Sequence, residues 1–310
     1  MQVMTYQETI RWKGTPVQVD AVRAENKTFI ISDRLLKTAS LKDEWQLDIE
    51  QPEEVIRQLK ASSPQIDLLR FWQRIPETKP KYPYYHEMRD VAAIPITDHK
   101  YWFEKQITRN ARNKVRKTQK FGVTIEETVL NDGLVDGIMS IFNQSPVRRG
   151  KRFWHYGKDF NTVKAEMSLD LDQSTFITAY YQNELIGFIK LMFTDRYALL
   201  TIILDKLNHR DKAPMNGMIS KAVEICAQRT VPYLAYYMWR RGGHAEFQES
   251  TGFERIPVPE YFVPLTVKGA LGLRLNLHRG LAGLIPEKTM ARLLALRAKW
   301  YARNSGELAG

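Results

Sequence analysis

Thr175-Phe-Ile-Thr-Ala-Tyr-Tyr181, Leu185-Ile-Gly-Phe-Ile-Lys-Leu-Met-Phe193, Ala198-Leu-Leu-Thr-Ile-Ile-Leu204 and Tyr233-Leu-Ala-Tyr-Tyr-Met238 are runs rich in β-branched and aromatic residues, the composition of strands. Asn183 breaks the chain between the first and second, and Asp195-Arg196 between the second and third, so each break reads as a turn. A polar loop from Asp205 to Lys212 leads to Pro214 and a helix ending near Gln228, and the last run follows. A strand that feeds a helix N-terminus gathers unpaired backbone N–H groups and a partial positive charge at one point. An anion such as a pyrophosphate is held there readily.

Working outward, Thr97-Asp98 caps a long helix predicted from about His99 to Lys120 and closed by Gly122, and Val123–Val129 is the next strand. Helices are expected near 134–143 and 159–169. Towards the amino terminus the chain reads as a smaller α/β unit. Lys27–Ser32 and Ile66–Trp72 are strands, and Gln51–Lys60 is a helix with proline and acids in its first turn. A proline-rich connection covers Thr78–Tyr85, and Val91–Ile96 is an edge-like strand because Pro95 cannot donate to a ladder. After the quoted stretch come a loop with paired glycines at Arg240–Gly243, a hairpin-like piece from Phe253 to Leu265, and a helix from Pro286 to about Arg303. No fixed-period repeat and no low-complexity tract is found.

Three segments carry a resemblance to a known family: Arg109-Asn-Ala-Arg-Asn-Lys-Val-Arg-Lys-Thr-Gln-Lys-Phe-Gly-Val-Thr-Ile125, Asn183-Glu-Leu-Ile-Gly-Phe-Ile-Lys190 and Lys212-Ala-Pro-Met-Asn-Gly-Met-Ile-Ser-Lys-Ala-Val223. In this order the chain resembles the GCN5-related N-acetyltransferase (GNAT) superfamily. More closely it resembles the Fem-like branch, which includes the bridge-forming peptidoglycan aminoacyltransferases. The resemblance implies an α/β fold of the α+β kind, with a mixed, mostly antiparallel sheet flanked by helices. It implies a partial GNAT-like unit over residues 1–120, a GNAT-like acyltransferase domain over 121–266 and a basic helical extension over 267–310.

Composition is that of a globular protein long enough for one large or two ordinary domains. The single cysteine, Cys226, excludes an intramolecular disulfide and sits among apolar helix positions as a small buried hydrophobe. The first residues have neither a basic nor an apolar signal region, and Lys190, Asp195 and Arg196 interrupt the most apolar stretch. No secretory signal and no membrane span is therefore expected. The net charge of +11 is concentrated in Lys105–Lys120 and in Lys268–Arg303, which points to anionic partners at two places. No metal-spaced Cys/His cluster, P-loop or Gly-x-Ser-x-Gly elbow is present, which argues against a zinc enzyme, an NTPase or a serine hydrolase.

The GNAT pattern at the helix start is Gln or Arg, two residues, Gly, one residue, then Gly or Ala. Here Lys212 takes its first slot and Gly217 its last, while Met215 replaces the middle glycine and Pro214 removes a donor. The resemblance makes Arg210, Lys212, Asn216 and Gly217 the candidate grip for an acyl-CoA donor. Read as an ordinary helix start, the same segment is a proline-initiated helix with Met215, Met218, Ile219, Ala222 and Cys226 as its core stripe. Lys105, Arg109, Arg112, Arg116 and Lys120 step by helical spacing into one basic stripe beside Phe103, Ile107, Ala111 and Val115.

The segment Pro146–Gly157 follows neither period and carries Arg148, Arg149, Arg152, Trp154, His155 and Tyr156, so it is the candidate acceptor-contacting loop, or else a structural Arg/aromatic cluster. Acyl transfer to an amine needs a base, donors for the oxyanion and an acid for the leaving group. His155 and then Asp205 are the candidate bases, and Tyr236 or Tyr237 the candidate acid, since alternate strand residues face opposite ways.

Three readings stand at this point. The first is a cytoplasmic N-acyltransferase moving an acyl group, in the simplest case acetyl, from acyl-CoA to an amine on a small metabolite, amino sugar or lipid-linked precursor, without a metal. The second keeps the fold and takes aminoacyl-tRNA as donor. The third is a non-catalytic module binding RNA or a membrane surface. The basic segments Lys105–Lys120 and Lys288–Arg303 are the candidate contacts to tRNA or to the anionic inner membrane face.

Overall fold

The computed structural model describes residues 3–12, 15–33, 35–148, 151–239 and 243–280, with the isolated positions 289 and 292. Arg149, most of the paired-glycine loop at 240–243 and the helix expected over 286–303, apart from those two positions, lie outside the described residues. The chain forms two compact units, Met1–Arg89 with Val147–Arg152 and Val258–Gly310, and Asp90–Pro146 with Phe153–Pro257.

The first unit opens with a meander of β1 (Val3–Trp12), β2 (Thr15–Ala24), β3 (Lys27–Asp33) and β4 (Lys37–Leu41), each antiparallel to the next. Helix α1 (Pro52–Lys60) follows, then the two-residue strand β5 (Ser62–Ser63), which pairs with β1, and β6 (Leu68–Trp72), which pairs parallel to β4. The apolar face of α1 places Val55 and Leu59 on Val22, Phe29, Ile31, Leu41 and Phe71. Burying each such side chain contributes about 1.5–3 kcal/mol. Strands β1 and β2 are an addition to the sequence reading, which started at Lys27. They are mostly exposed and polar, so no apolar period marks them.

The second unit begins with β7 (His86–Pro95), which starts in the first, and with the single turn α2 (His99–Tyr101). The long helix expected over 99–120 is two pieces. A π turn over 102–106 ends at Ile107, whose N–H reaches the Trp102 carbonyl, and Thr108 starts α3 (Arg109–Lys120). Thr108 is extended, its Oγ1 accepts from the Ala111 N–H, and its own N–H is taken by Ser250. The π turn lets Trp102 and Ile107 both enter the core, which one regular helix cannot do with this spacing.

Then come β8 (Thr124–Thr128), α4 (Asp132–Phe142), the two-residue pair β9 (Val147–Arg148) and β10 (Lys151–Arg152), and α5 (Phe160–Met167). Strands β11 (Ser174–Tyr181), β12 (Glu184–Phe193) and β13 (Ala198–Asp205) complete a second antiparallel meander with β8. Helix α6 (Pro214–Gln228) leads to β14 (Tyr233–Met238), parallel to β13 and antiparallel to β7. Helix α7 (Gly243–Ser250) follows.

β15 (Glu254–Pro264) is one strand rather than a hairpin, and its end pairs with β6 in the first unit, where α8 (Val267–Arg274) is capped by Thr266. Helices α3 and α6 pack on one face of the second sheet around Ile177, Ile189, Leu200 and Met218. Helices α4 and α5 pack on the other face around Phe176, Leu185 and Phe188.

The units share a plan. Each is a four-strand meander, then a helix, then a parallel fifth strand, then an antiparallel sixth strand from elsewhere in the chain. The second and third strands of each four-strand set, β2–β3 and β11–β12, are joined by a turn on a residue pair at positive φ, Glu25-Asn26 at 48° and 58° and Gln182-Asn183 at 51° and 65°. The basic helix α3 belongs with the second unit, because Ala111, Val115 and Thr118 are buried on its side. No helix among the described residues is long and apolar enough to cross a membrane.

Candidate functional site

Strands β13 and β14 pair at Ala198↔Leu234 and Leu199↔Ala235 and nowhere further, although β13 runs on to Asp205. Two irregularities sit at the level where they part. Against β12, the register of β13 skips Thr201, whose Oγ1 donates to the Lys190 carbonyl at 3.0 Å. Against β7, the register of β14 jumps from Ala235 to Met238, so Tyr236 and Tyr237 together stand opposite Ala92. Tyr237 has φ +48°, a left-handed conformation that a bulky aromatic residue adopts only under constraint. Parallel strands that part release backbone donors and acceptors into the gap. Such a gap accepts a ligand in extended form, with N–H groups aimed at a carbonyl.

Three polar side chains lie on β12, β13 and β14. Asp205 is buried at the end of β13 and accepts from Arg210 at 3.2 Å. Burial pushes the Tyr237 phenol up to about 12, with Tyr236 and Asp170 adding to the effect. Lys190 pairs with Ile202 across the ladder, and its Nζ donates to the Leu169 carbonyl just beyond α5. Burial pushes its ammonium down to about 8, against the opposing pull of Asp170. An amine with that value is partly neutral near physiological pH and competent as a base. Sequence reading passed over Lys190, because a lone lysine in an apolar run reads as an interruption. Its burial is the signal, and burial is tertiary.

The helix start read as an anion grip is closed. Ala213 at the N-cap of α6 is left-handed, Pro214 has no N–H, and the Asn216 and Gly217 N–H groups point to the Ala213 carbonyl at 3.1 and 3.4 Å. Thr118 of α3 donates its Oγ1 to the same carbonyl at 2.9 Å. A Cβ on Gly217 would lie 2.7 Å from Thr118 Cγ2, so this glycine serves the close approach of α3 to α6. Asn216 is buried, and Lys212 ion-pairs with Asp211 at 3.2 Å and lies over the Tyr181 ring at 4.8 Å.

The expected acceptor loop is divided. Arg148 and Arg152 lie in the β9–β10 piece that groups with the first unit, whereas Trp154, His155 and Tyr156 belong to the second. His155 is 5% exposed and stacks on Trp154 at 3.5 Å and on Phe142 at 4.1 Å, with Nδ1 3.9 Å from Glu166. Lys158 bonds the other oxygen of Glu166 at 2.5 Å and lies over the Trp154 ring at 4.1 Å, while Trp154 and Tyr156 keep exposed edges. The buried Cys226 thiol is pushed up to about 12 by burial, which makes it unreactive.

No family model matches the chain, and no curated protein matches its sequence. Solved structures match its shape. FemX has TM-score 0.56 at 10% identity, covering 88% of this chain and 90% of FemX. The C-terminal domain (DUF2156) of a lysylphosphatidylglycerol synthetase candidate from Agrobacterium fabrum has TM-score 0.52 at 12% identity, covering 83% and 87%. L-PGS from Bacillus licheniformis has TM-score 0.51 at 10% identity, covering 78% and 83%. The fold is GNAT-like and Fem-like. At these identities the likeness is one of fold, so the chemistry has to be argued from the side chains above.

Proposed function

We propose that the chain is a Fem-like acyltransferase that passes an aminoacyl group from an aminoacyl-tRNA to an acceptor amine in the opening between β13 and β14. The observation that supports this donor is Thr118 seated over the first turn of α6. An acyl-CoA held in the GNAT manner puts its pyrophosphate at that turn, where Pro214 has no N–H, the Asn216 and Gly217 N–H groups bond the Ala213 carbonyl, and Thr118 of α3 packs against Gly217. An ester on the end of an RNA needs no pyrophosphate grip, and its phosphates are met by side chains. Two of the structures named above carry lysylphosphatidylglycerol or L-PGS in their names, which agrees with an aminoacyl donor.

In this reading the acceptor nitrogen, on a small metabolite, amino sugar or lipid-linked precursor, attacks the ester carbonyl carbon. A C–N bond forms as the C–O bond to the ribose breaks. Neutral Lys190 takes the ammonium proton of the acceptor, and Tyr237 supplies a proton to the leaving oxygen. Asp205, at the end of β13, holds Arg210. A donor on RNA is met in the cytoplasm, and a lipid-linked acceptor would bring the protein to the inner membrane face.

Thermal unfolding with two donors tests the reading: acetyl-CoA, and a tRNA acceptor minihelix carrying an amide-linked, non-hydrolysable aminoacyl group. A saturating shift with the minihelix alone is expected. A saturating shift with acetyl-CoA and none with the minihelix would replace the donor by acyl-CoA.

A further inference from the structure

Helix α3 carries Arg109, Arg112, Lys114, Arg116, Lys117 and Lys120 and no acid. Among the described residues none of the six forms an ion pair. Other cations of the second unit have carboxylate partners, among them Lys164 with Asp132 at 2.8 Å, Arg229 with Glu127 at 2.6 Å and Lys221 with Glu224 at 3.1 Å. Arg112 is turned inward onto the Phe103 and Glu104 carbonyls, and Arg116 lies over the Phe103 ring at 5.4 Å. Lys117 and Lys120 lie in the last turn of the helix before its C-cap residue, Phe121, and Lys114 one turn earlier than Lys117. Phe121 is 41% exposed, with Lys117 at 5.4 Å and Lys212 at 5.9 Å from its ring centre.

We infer that Lys114, Lys117, Lys120 and Lys212 with the ring of Phe121 form the contact for the single-stranded 3′ end of the donor RNA. A base stacks on Phe121 in place of an ammonium group, and the lysines take the neighbouring phosphates. This rests on the donor reading above and adds where the donor lies. An exposed aromatic ring beside several cations, of which Lys212 alone has an ion-pair partner among the described residues, is the chemistry of single-strand RNA binding. A membrane is the weaker occupant, because the apolar side of α3, with Ala111, Val115 and Thr118, is already buried in the core.

The test is fluorescence anisotropy with an uncharged acceptor minihelix ending in a single-stranded ACCA tail, read against salt. Variants are Phe121→Ala, Lys117→Glu and the control Lys221→Ala, each checked for an unchanged unfolding temperature. Phe121→Ala is expected to weaken binding roughly tenfold, and Lys117→Glu to weaken it and flatten the salt slope by about 0.7 or more per lost phosphate contact. Lys221→Ala is expected to bind as the wild type does. If the wild type binds and both test variants bind equally well, the contact is overturned and the donor reading survives. If the wild type does not bind the minihelix, both fall. Binding to phosphatidylglycerol vesicles that Lys117→Glu abolishes, with no RNA binding, would reassign the face to a membrane.

Discussion

The two strand–helix–strand crossovers, β4–α1–β6 and β13–α6–β14, share a build and differ in how long their parallel strands stay together. In the first, three of the five residues of β4 pair with β6, and β6 is held along its whole length by β15. In the second, the ladder ends at Leu199 and β13 continues to Asp205 with a bulge at Thr201. Both helices begin with proline, but α1 has Glu53 and Glu54 in its first turn and α6 has no acid there. One topology therefore serves as scaffold in the first unit and opens in the second. The difference lies in strand length beyond the ladder and in the two bulges that let the strands part.

The sharpest way to break this comparison is to loosen the start of α6. Gly217→Ala puts a Cβ 2.7 Å from Thr118 Cγ2, and the β-branched carbon of Thr118 cannot swing away while its hydroxyl holds Ala213. The expected cost is about 1–3 kcal/mol of overpacking. Urea unfolding measures it, and Thr118→Ala in the same chain should recover part of it. A neutral Gly217→Ala would mean that α3 does not cover this turn, and would reopen the acyl-CoA donor. The buried Cys226 in the same helix gives a second readout, since thiol labelling should stay slow in the wild type and quicken in the variant.

The closed crossover is breakable at the residue after β6. The Gln73 Oε1 accepts from the Tyr261 hydroxyl and from the Lys81 N–H at 2.8 Å, and its Nε2 donates to the Lys79 carbonyl at 2.9 Å. Gln73 is buried, so Gln73→Leu leaves these groups short of partners at a cost of about 1–3 kcal/mol. The loss should appear in global unfolding with RNA binding unchanged. If minihelix affinity falls together with stability, the two units are not the separable scaffold and site described here.

Lys190 distinguishes the open crossover by sign. Its value in the fold, about 8, lies below the ordinary 10.5, so between these the unfolded chain binds more protons and stability rises with pH. Below pH 8 the penalty for burying the ammonium is complete. Lys190→Met should therefore unfold at a temperature ~2–4 °C higher at pH 7, an advantage that fades towards pH 10.5. The same variant should lose transfer, a trade of activity for stability. A variant less stable than the wild type at pH 7 would mean that Lys190 is held as a structural cation by Leu169.

Much of this architecture was legible in the sequence, because strands β11 to β14 and helix α6 are long, apolar and bounded by turn residues. The proline start of α6 and the Asp98 cap were readable from single residues. The duplication of the two units is a likeness of topology, and it came only through the family resemblance, as a partial GNAT-like unit over residues 1–120. Its local trace is the pair of left-handed turns Glu25-Asn26 and Gln182-Asn183, where no glycine announces the turn. The parting of β13 and β14 depends on which residues find partners across the ladder, and neither propensity nor period encodes that. Gly217 was read as part of the grip for an acyl-CoA donor. What approaches is Thr118, and only the packing of α3 on α6 reveals it.

The smallest expected effect lies at the start of α1. Glu53 accepts from the Tyr84 hydroxyl at 2.8 Å, and Glu54 accepts from Arg57 and Gln58 in the next turn. Both carboxylates also face the positive end of the helix dipole, which favours acids there weakly at exposed positions. Hydrogen bonds to Arg57 and Gln58 hold the Glu54 carboxyl below the usual carboxylate range. Its contribution is therefore present above the ordinary carboxylate value and lost as pH falls through the lowered one. Glu54→Gln should lower the unfolding temperature only slightly at neutral pH and low salt, as losing one exposed pair does. Half-molar salt should erase the difference by screening. A loss that persists in high salt would assign the effect to hydrogen bonding rather than to charge. The start of α1 would then owe little to its acids, and the contrast with the acid-free start of α6 would rest on packing alone.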